Sequence, residues 1–123
     1  MRVIIAGGRN YIFTDQDRET LDSMKDLIPI TRVVCGMAKG ADTYGKEWAI
    51  SNNLPVDEYP ADWKRYGKAA GPLRNKQMAA NADALIVFPG GSGTNNMVNE
   101  ANKRNIQVIY IGVKEGTITY RVP

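Results

Sequence analysis

Histidine is missing from this 123-residue chain, and cysteine occurs once. The first absence removes the commonest general base and the commonest zinc ligand. One cysteine cannot form an internal disulfide, and the two shortages together argue against a transition-metal site. Any acid–base chemistry falls to Asp, Glu, Lys or Tyr. No apolar run approaches the roughly 20 residues of a membrane span. The first residues, Met1-Arg2-Val3-Ile4-Ile5-Ala6, go straight into a strand pattern with no signal peptide in front, so the cytoplasm is the expected compartment. An excess of one charge is lacking too: the net value is +3, with both signs scattered along the sequence. That is too weak to argue for nucleic acid as a partner. What remains is an ordinary globular composition, 43% hydrophobic and 24% charged. Residues 1–123 are enough for a single domain with a core of its own.

Glycine is what the chain does have, and it is placed with a pattern. The centre reads as a buried strand, Ala84–Phe88, a tight turn, Pro89–Thr94, and a helix from about Asn95. The strand is a continuous apolar run, as in a parallel sheet covered on both faces. Gly90, Gly91 and Gly93 lack a Cβ, so the backbone there can approach a ligand closely. A helix beginning at that point turns its free N–H groups and positive dipole end into the same space. The combination is an anion site, and phosphate is the usual anion. A plain strand-to-helix connection is the competing reading. Three glycines and a threonine within five residues favour a site, which makes Gly90, Gly91, Ser92, Gly93 and Thr94 candidate ligand-binding residues.

The same layout recurs upstream. Strand Arg2–Ala6 leads into Gly7-Gly8-Arg9-Asn10-Tyr11. Arg9 offers a planar donor fork suited to phosphate, or is a solvated loop arginine. Tyr11 stacks on a base or caps the core. Thr14 or Asp15 is a fitting N-cap for a helix to about Leu27, with Leu21, Met24, Leu27 and Ile28 on one apolar face. A second strand, Thr31–Cys35, runs into Gly36-Met37-Ala38-Lys39-Gly40-Ala41-Asp42. Asp42 suits an N-cap for a helix over Thr43–Asn52, with a ligand hydroxyl as the alternative partner. Cys35 reads as a small buried hydrophobe.

Pro55–Tyr59 reads as an edge strand. The basic and aromatic segment Pro60–Pro72 is too broken by Gly and Pro for one element. Trp63 and Tyr66 there either stack on a nucleobase or cover a core edge. Leu73–Asn81 reads as a helix started by Pro72, with Arg74 and Met78 one turn apart. Gln107–Gly112 is a fifth strand, and Thr117–Val122 a last edge strand or an arm for a partner's sheet.

Five alternations of strand and helix predict an α/β, Rossmann-like, doubly wound domain. The expected sheet is mostly parallel and five-stranded, with helices on both faces. In strand order 3-2-1-4-5 the loops at Gly7–Tyr11, Gly36–Asp42 and Gly90–Thr94 converge on one cleft at the carboxyl ends of the strands. The first loop, GGRNY, is not the G-x-G-x-x-G dinucleotide fingerprint.

With these residues in place, the segments GGRNY, GMAKGAD, ADWKRYGKAAGPLRN and FPGGSGT resemble the SLOG superfamily over nearly the whole chain, in particular its small YspA or cpYpsA-related branch. The resemblance implies a Rossmann-like fold, a nucleotide-derived small molecule as ligand, and a phage or bacterial setting. More distantly, the chain is similar to the "lonely guy" phosphoribohydrolases, whose pattern is R-K-x-x-M-x-x-x-x-D-A-x-I-x-L-P-G-G-x-G-T-x-E-E. Arg74, Met78, Asp83, Ala84, Ile86, Pro89, Gly90, Gly91, Gly93 and Thr94 match it without a gap. Arg74 falls on that family's catalytic arginine. Its two glutamates fall here on Asn96 and Met97, and Glu100, one helical turn on, is the candidate substitute.

Three functions follow. The favoured one is a domain that holds a phosphorylated nucleoside through Gly7, Gly8, Arg9, Tyr11, Gly36, Lys39, Gly40, Asp42, Trp63 and Gly90–Thr94. The second is N-glycosidic hydrolysis of nucleoside 5′-monophosphates with Arg74 and Glu100 as catalytic residues, Asp42 and Glu47 being further carboxylates near the cleft. The third is single-stranded DNA binding, as in the DprA relatives of this fold, against which the low net charge counts. No cofactor, metal or membrane is implied. A homodimer or higher homo-oligomer is expected, because cousins of the fold are commonly dimers.

Overall fold

The computed structural model describes residues 1–112. Five strands and five helices alternate: β1 (Arg2–Ala6), α1 (Asp15–Leu27), β2 (Arg32–Cys35), α2 (Ala41–Ser51), β3 (Val56–Glu58), α3 (Trp63–Tyr66), α4 (Ala70–Ala80), β4 (Ala84–Val87), α5 (Ser92–Lys103) and β5 (Gln107–Tyr110). The sheet order is β3-β2-β1-β4-β5. Every pairing in it is parallel, with Val3 opposite both Val33 and Ala84. The stretch Thr117–Val122, expected as an edge strand or arm, lies outside the described residues.

Side chains alternate across a strand, so β1 feeds two cores. Val3 and Ile5 pack with Leu21 of α1 and Trp48 of α2 on one face. Ile4 and Ala6 pack with Met78 of α4 and Met97 of α5 on the other. Ile4, Ile5, Leu85 and Ile86 are at most 1% exposed. Burying each such side chain contributes roughly 1.5–3 kcal/mol. The middle pair β1–β4 therefore carries most of the sheet's stability, and the half-exposed edge β3 little.

The ends of the elements correct several sequence expectations. Thr14 does cap α1, in a capping box with Asp17, but Leu27 is 78% exposed and lies outside the apolar face. Gly40, not Asp42, is the N-cap of α2, which begins at Ala41; Asp42 is inside the first turn. The Pro60–Pro72 segment resolves into α3, a 3-10 turn at Gly67–Ala69 and the start of α4, so Pro72 is the third helical residue. That position tolerates proline, because its N–H would have no intrahelical acceptor. Helix α5 begins at Ser92, which puts Gly93 and Thr94 inside its first turn. Among the described residues no helix is long and apolar enough to cross a membrane.

Candidate functional site

The carboxyl ends of β1, β2 and β4 do meet, and backbone contact is what joins their loops. The Gly8 N–H donates to the Pro89 carbonyl at 2.8 Å, and the Gly8 carbonyl accepts from Ala41 at 3.2 Å. Gly40 has φ +74, and a Cβ on it would stand 2.3 Å from the Gly8 carbonyl oxygen. Only glycine fits that position. Gly7, Gly8 and Gly90 are spent in the same way, each with another loop's atoms at 2.7–3.0 Å from where a Cβ would be. Gly40 and Gly90, expected to face a ligand, fasten the loops to one another and do not line the adjoining cavity, whereas Gly7 and Gly8 do both. Gly91 and Gly93 differ, since a Cβ on either would meet nothing within 4 Å.

That open space belongs to a cavity of about 610 Å³ between the loops and the first turns of α4 and α5. Its size is that of a small-molecule site. The N-cap of α5 is Gly91, which has no side chain to cap with. The N–H groups of Ser92, Gly93 and Thr94 meet no acceptor among the described residues. Arg9, Arg74 and Lys68 line the same cavity, with Trp63 at its wall. The Arg9 guanidinium lies 5.9 Å from the centroid of the Trp63 ring. Trp63 in turn sits over Gly71, where a Cβ would come within 3.2 Å of the indole.

Asp42 is the cavity's one carboxylate among the described residues. It is 6% exposed. Burial pushes its carboxyl up to about 6, while the Ala38 N–H at 3.3 Å and the guanidinium groups of Arg74 and Arg9 hold it from rising further. A carboxyl so placed sits in the range useful for proton transfer at neutral pH. Arg74 is half-buried. Its Nη1 donates to the Gly36 carbonyl, and its Nε to Asn75 Oδ1 at 2.9 Å. Burial lowers its pKa and Asp42 opposes that, but a guanidinium stays charged at any working pH. Gly36 makes this convergence possible: a Cβ there would lie 2.8 Å from Asp42 Oδ2 and 3.0 Å from Arg74 Nη1.

Asn75, Asn96 and Lys68 were not among the expected site residues. Asn75 is buried and fully used, accepting from Arg74 and donating to Asn96 Oδ1 at 2.9 Å and the Gly93 carbonyl at 3.4 Å. It ties the arginine to the first turn of α5, so the amides and the guanidinium hold a fixed relation. Its signal in the sequence was position alone, one residue after Arg74.

Several expected site residues lie outside this cavity's lining. Tyr11 packs against Phe13 and Phe88, with ring centroids 6.1 and 5.4 Å away, and its hydroxyl donates to Asp17 at 2.7 Å. Burial and that carboxylate push its pKa up to about 12, so it serves the core and not the cavity. Glu100 does not line the cavity; its carboxylate faces Lys103 at 3.4 Å. One helical turn is about 5.4 Å, and it carries the side chain away from the α5 amides. Glu47 is exposed and also outside the lining. Cys35 is buried, and burial raises its thiol, which suits a structural role. Lys39 lines a neighbouring cavity. Among the described residues no group of three or more Cys, Asp or Glu is arranged to hold a metal ion.

No solved structure matches the chain significantly. The "Gene 61 protein" of Mycobacterium phage D29 is 37% identical over 126 aligned positions, covering 92% of this chain and 98% of that protein. The family model described as "YspA, cpYpsA-related SLOG family" matches residues 1–66, more than half the sequence. That span takes in β1, β2 and the glycine loops that follow them, and the chain accordingly belongs to the YspA, cpYpsA-related SLOG family.

Proposed function

We propose that the protein binds a phosphorylated nucleoside in the cavity between the glycine loops and α5. Membership of the SLOG family points to a nucleotide-related ligand in general terms. The observation that carries the finer reading is the set of unpaired Ser92, Gly93 and Thr94 N–H groups on a cavity also lined by Arg9, Lys68 and Arg74. Free amides at a helix N-terminus favour an anion, and an arginine fork favours phosphate. The phosphoryl group sits at the α5 amides, with Arg74 against one oxygen. Asp42 accepts from a ribose hydroxyl. Trp63 covers the base, which needs only a π-face and so tolerates several bases. Native mass spectrometry of the purified protein, followed by calorimetry with purine and pyrimidine 5′-monophosphates, tests this. Arg74→Ala is expected to weaken binding at least tenfold. Absence of any phosphorylated nucleoside from the protein, together with no heat of binding, would sink the reading.

A second reading, hydrolysis of the N-glycosidic bond, draws on Asp42 and no longer on Glu100. Breaking that bond leaves its electron pair on the base and positive charge on the ribose. A carboxylate beside the ribose stabilises that charge and takes the proton of the attacking water, while the departing base takes up a proton from solvent. Release of free base by the parent protein but not by Asp42→Asn supports hydrolysis; tight binding with no release over hours leaves a binding domain.

A further inference from the structure

We infer that the ligand carries two linked phosphoryl groups, the second held outside the main cavity by Lys39 together with Arg9 and Arg74. The inference rests on the phosphate reading above. A second cavity of about 380 Å³ adjoins the first and shares Arg9, Ala38, Trp63 and Arg74 with it. It continues outward to Met37, Lys39 and Pro60. Three cations line this smaller space, and no carboxylate does. None of Arg9, Lys39 or Arg74 has an acidic partner at ion-pair distance among the described residues, although Asp42 acts on Arg9 and Arg74 from further off, whereas Arg2, Arg32, Lys46 and Lys103 each have one. Cations drawn to one place repel each other, and a cleft lined by one sign of charge concentrates ions of the opposite sign.

Arg74 stands where the two cavities join. A guanidinium has five N–H donors. One at Nε goes to Asn75 and one at Nη1 goes to the Gly36 carbonyl. The remaining donors are fixed in direction by those two anchors and serve a bridging group. A single phosphoryl at the α5 amides leaves Lys39 unused on the far side of Arg74. A diphosphate spans the junction, with its first phosphoryl at α5, its bridge at Arg74 and its second phosphoryl at Lys39. Met37, Pro60 and Ala61 give the outer end an apolar wall that accepts a substituent on the terminal phosphate. Met37 itself has φ +64 without being glycine. Such backbone persists where its surroundings hold it in place, and it is common at ligand clamps. The ligand class is thus a nucleoside diphosphate, free or substituted at its terminal phosphate.

Calorimetry at fixed ionic strength with adenosine and guanosine 5′-mono- and diphosphates reads this directly. The diphosphate of a given base is expected to bind at least tenfold more tightly than its monophosphate. Lys39→Ala is expected to bring that ratio below threefold. Arg104→Ala removes an equal charge from the far end of α5 and leaves the ratio as in the parent. Equal affinity for mono- and diphosphate, or a ratio that survives Lys39→Ala, overturns the second phosphoryl site while leaving the first intact. If neither kind of nucleotide binds, the underlying phosphate reading falls with it.

Discussion

At the amino-terminal edge of the sheet Arg2 lies 3.8 Å from Asp83, whose carboxylate also accepts from the Arg2 N–H at 2.7 Å, and Arg32 meets Asp57 at 2.6 Å. At the carboxyl edge Arg9, Lys39, Lys68 and Arg74 share two adjoining cavities with Asp42 and form no ion pair among the described residues. The first arrangement neutralises surface charge at little gain, since exposed pairs contribute about 0–1 kcal/mol. The second sets four cations against one buried acid that offsets them only in part, and burying that acid costs stability. Perturbed charged groups cluster at functional sites, and this contrast is what the binding proposal above rests on.

The comparison is broken most severely at Gly40. Gly40→Val places a Cβ against the Gly8 carbonyl at a φ that valine rarely adopts. A loss of 3 kcal/mol or more, of the order seen for incompatible backbone positions, is expected by urea denaturation, with much of the protein insoluble. The next largest effect has the opposite sign. The folded Asp42 carboxyl, at about 6, lies above its ordinary value near ~3.9. A raised carboxyl binds its proton more tightly folded than unfolded, so its contribution is fully present below pH ~4, is lost as pH rises to ~6 and stays lost above. Asp42→Asn is therefore expected to be more stable than the parent at pH 7.5 by roughly 2–3 kcal/mol. The two proteins should converge below pH ~4; a gain independent of pH rules out the buried charge as the cause.

Smaller effects sharpen the contrast. Gly93→Ala meets open space, and alanine favours a helix over glycine by up to ~1 kcal/mol. Stability is expected to hold or rise slightly, while nucleotide affinity falls because the new methyl group projects into the cavity. Affinity that holds with stability would show that the α5 amides do not receive the phosphate. Smallest of all is Arg2→Ala, on the paired edge, where the change should stay within about 1 kcal/mol and leave ligand binding untouched. A binding defect in Arg2→Ala would erase the distinction between the edges.

The 3-2-1-4-5 order was an assumption drawn from the fold class, and the sheet has it; the strands and the three glycine loops were legible because apolar runs and glycine turns are local signals. The paired charges were not. A net charge of +3 averages a neutralised edge with a positive cavity, and only the fold separates the two. The glycines carry a similar ambiguity: the sequence marks close approach but not what approaches. At Gly40 and Gly90 it is the neighbouring loop, and Gly7 and Gly8 meet that loop while also lining the cavity. Asn75 escaped notice because its partners, Gly93 and Asn96, lie 18 and 21 residues away. Tyr11 and Glu100 were misplaced by direction. Neighbours in sequence to a site need not point into it, and a turn of helix or a core aromatic cluster decides where they go.

The two tryptophans end up in opposite surroundings. Trp48 is 5% exposed and donates its indole N–H to Asp22 at 2.9 Å, while Trp63 is 49% exposed at the cavity wall beside Arg9. Their fluorescence therefore divides by task. Emission from Trp48 reports whether the chain is folded, and under the binding proposal quenching of Trp63 would report whether the cavity is filled. A Trp63→Phe variant would leave a clean optical readout of unfolding, and the difference from the parent would follow occupancy without any label.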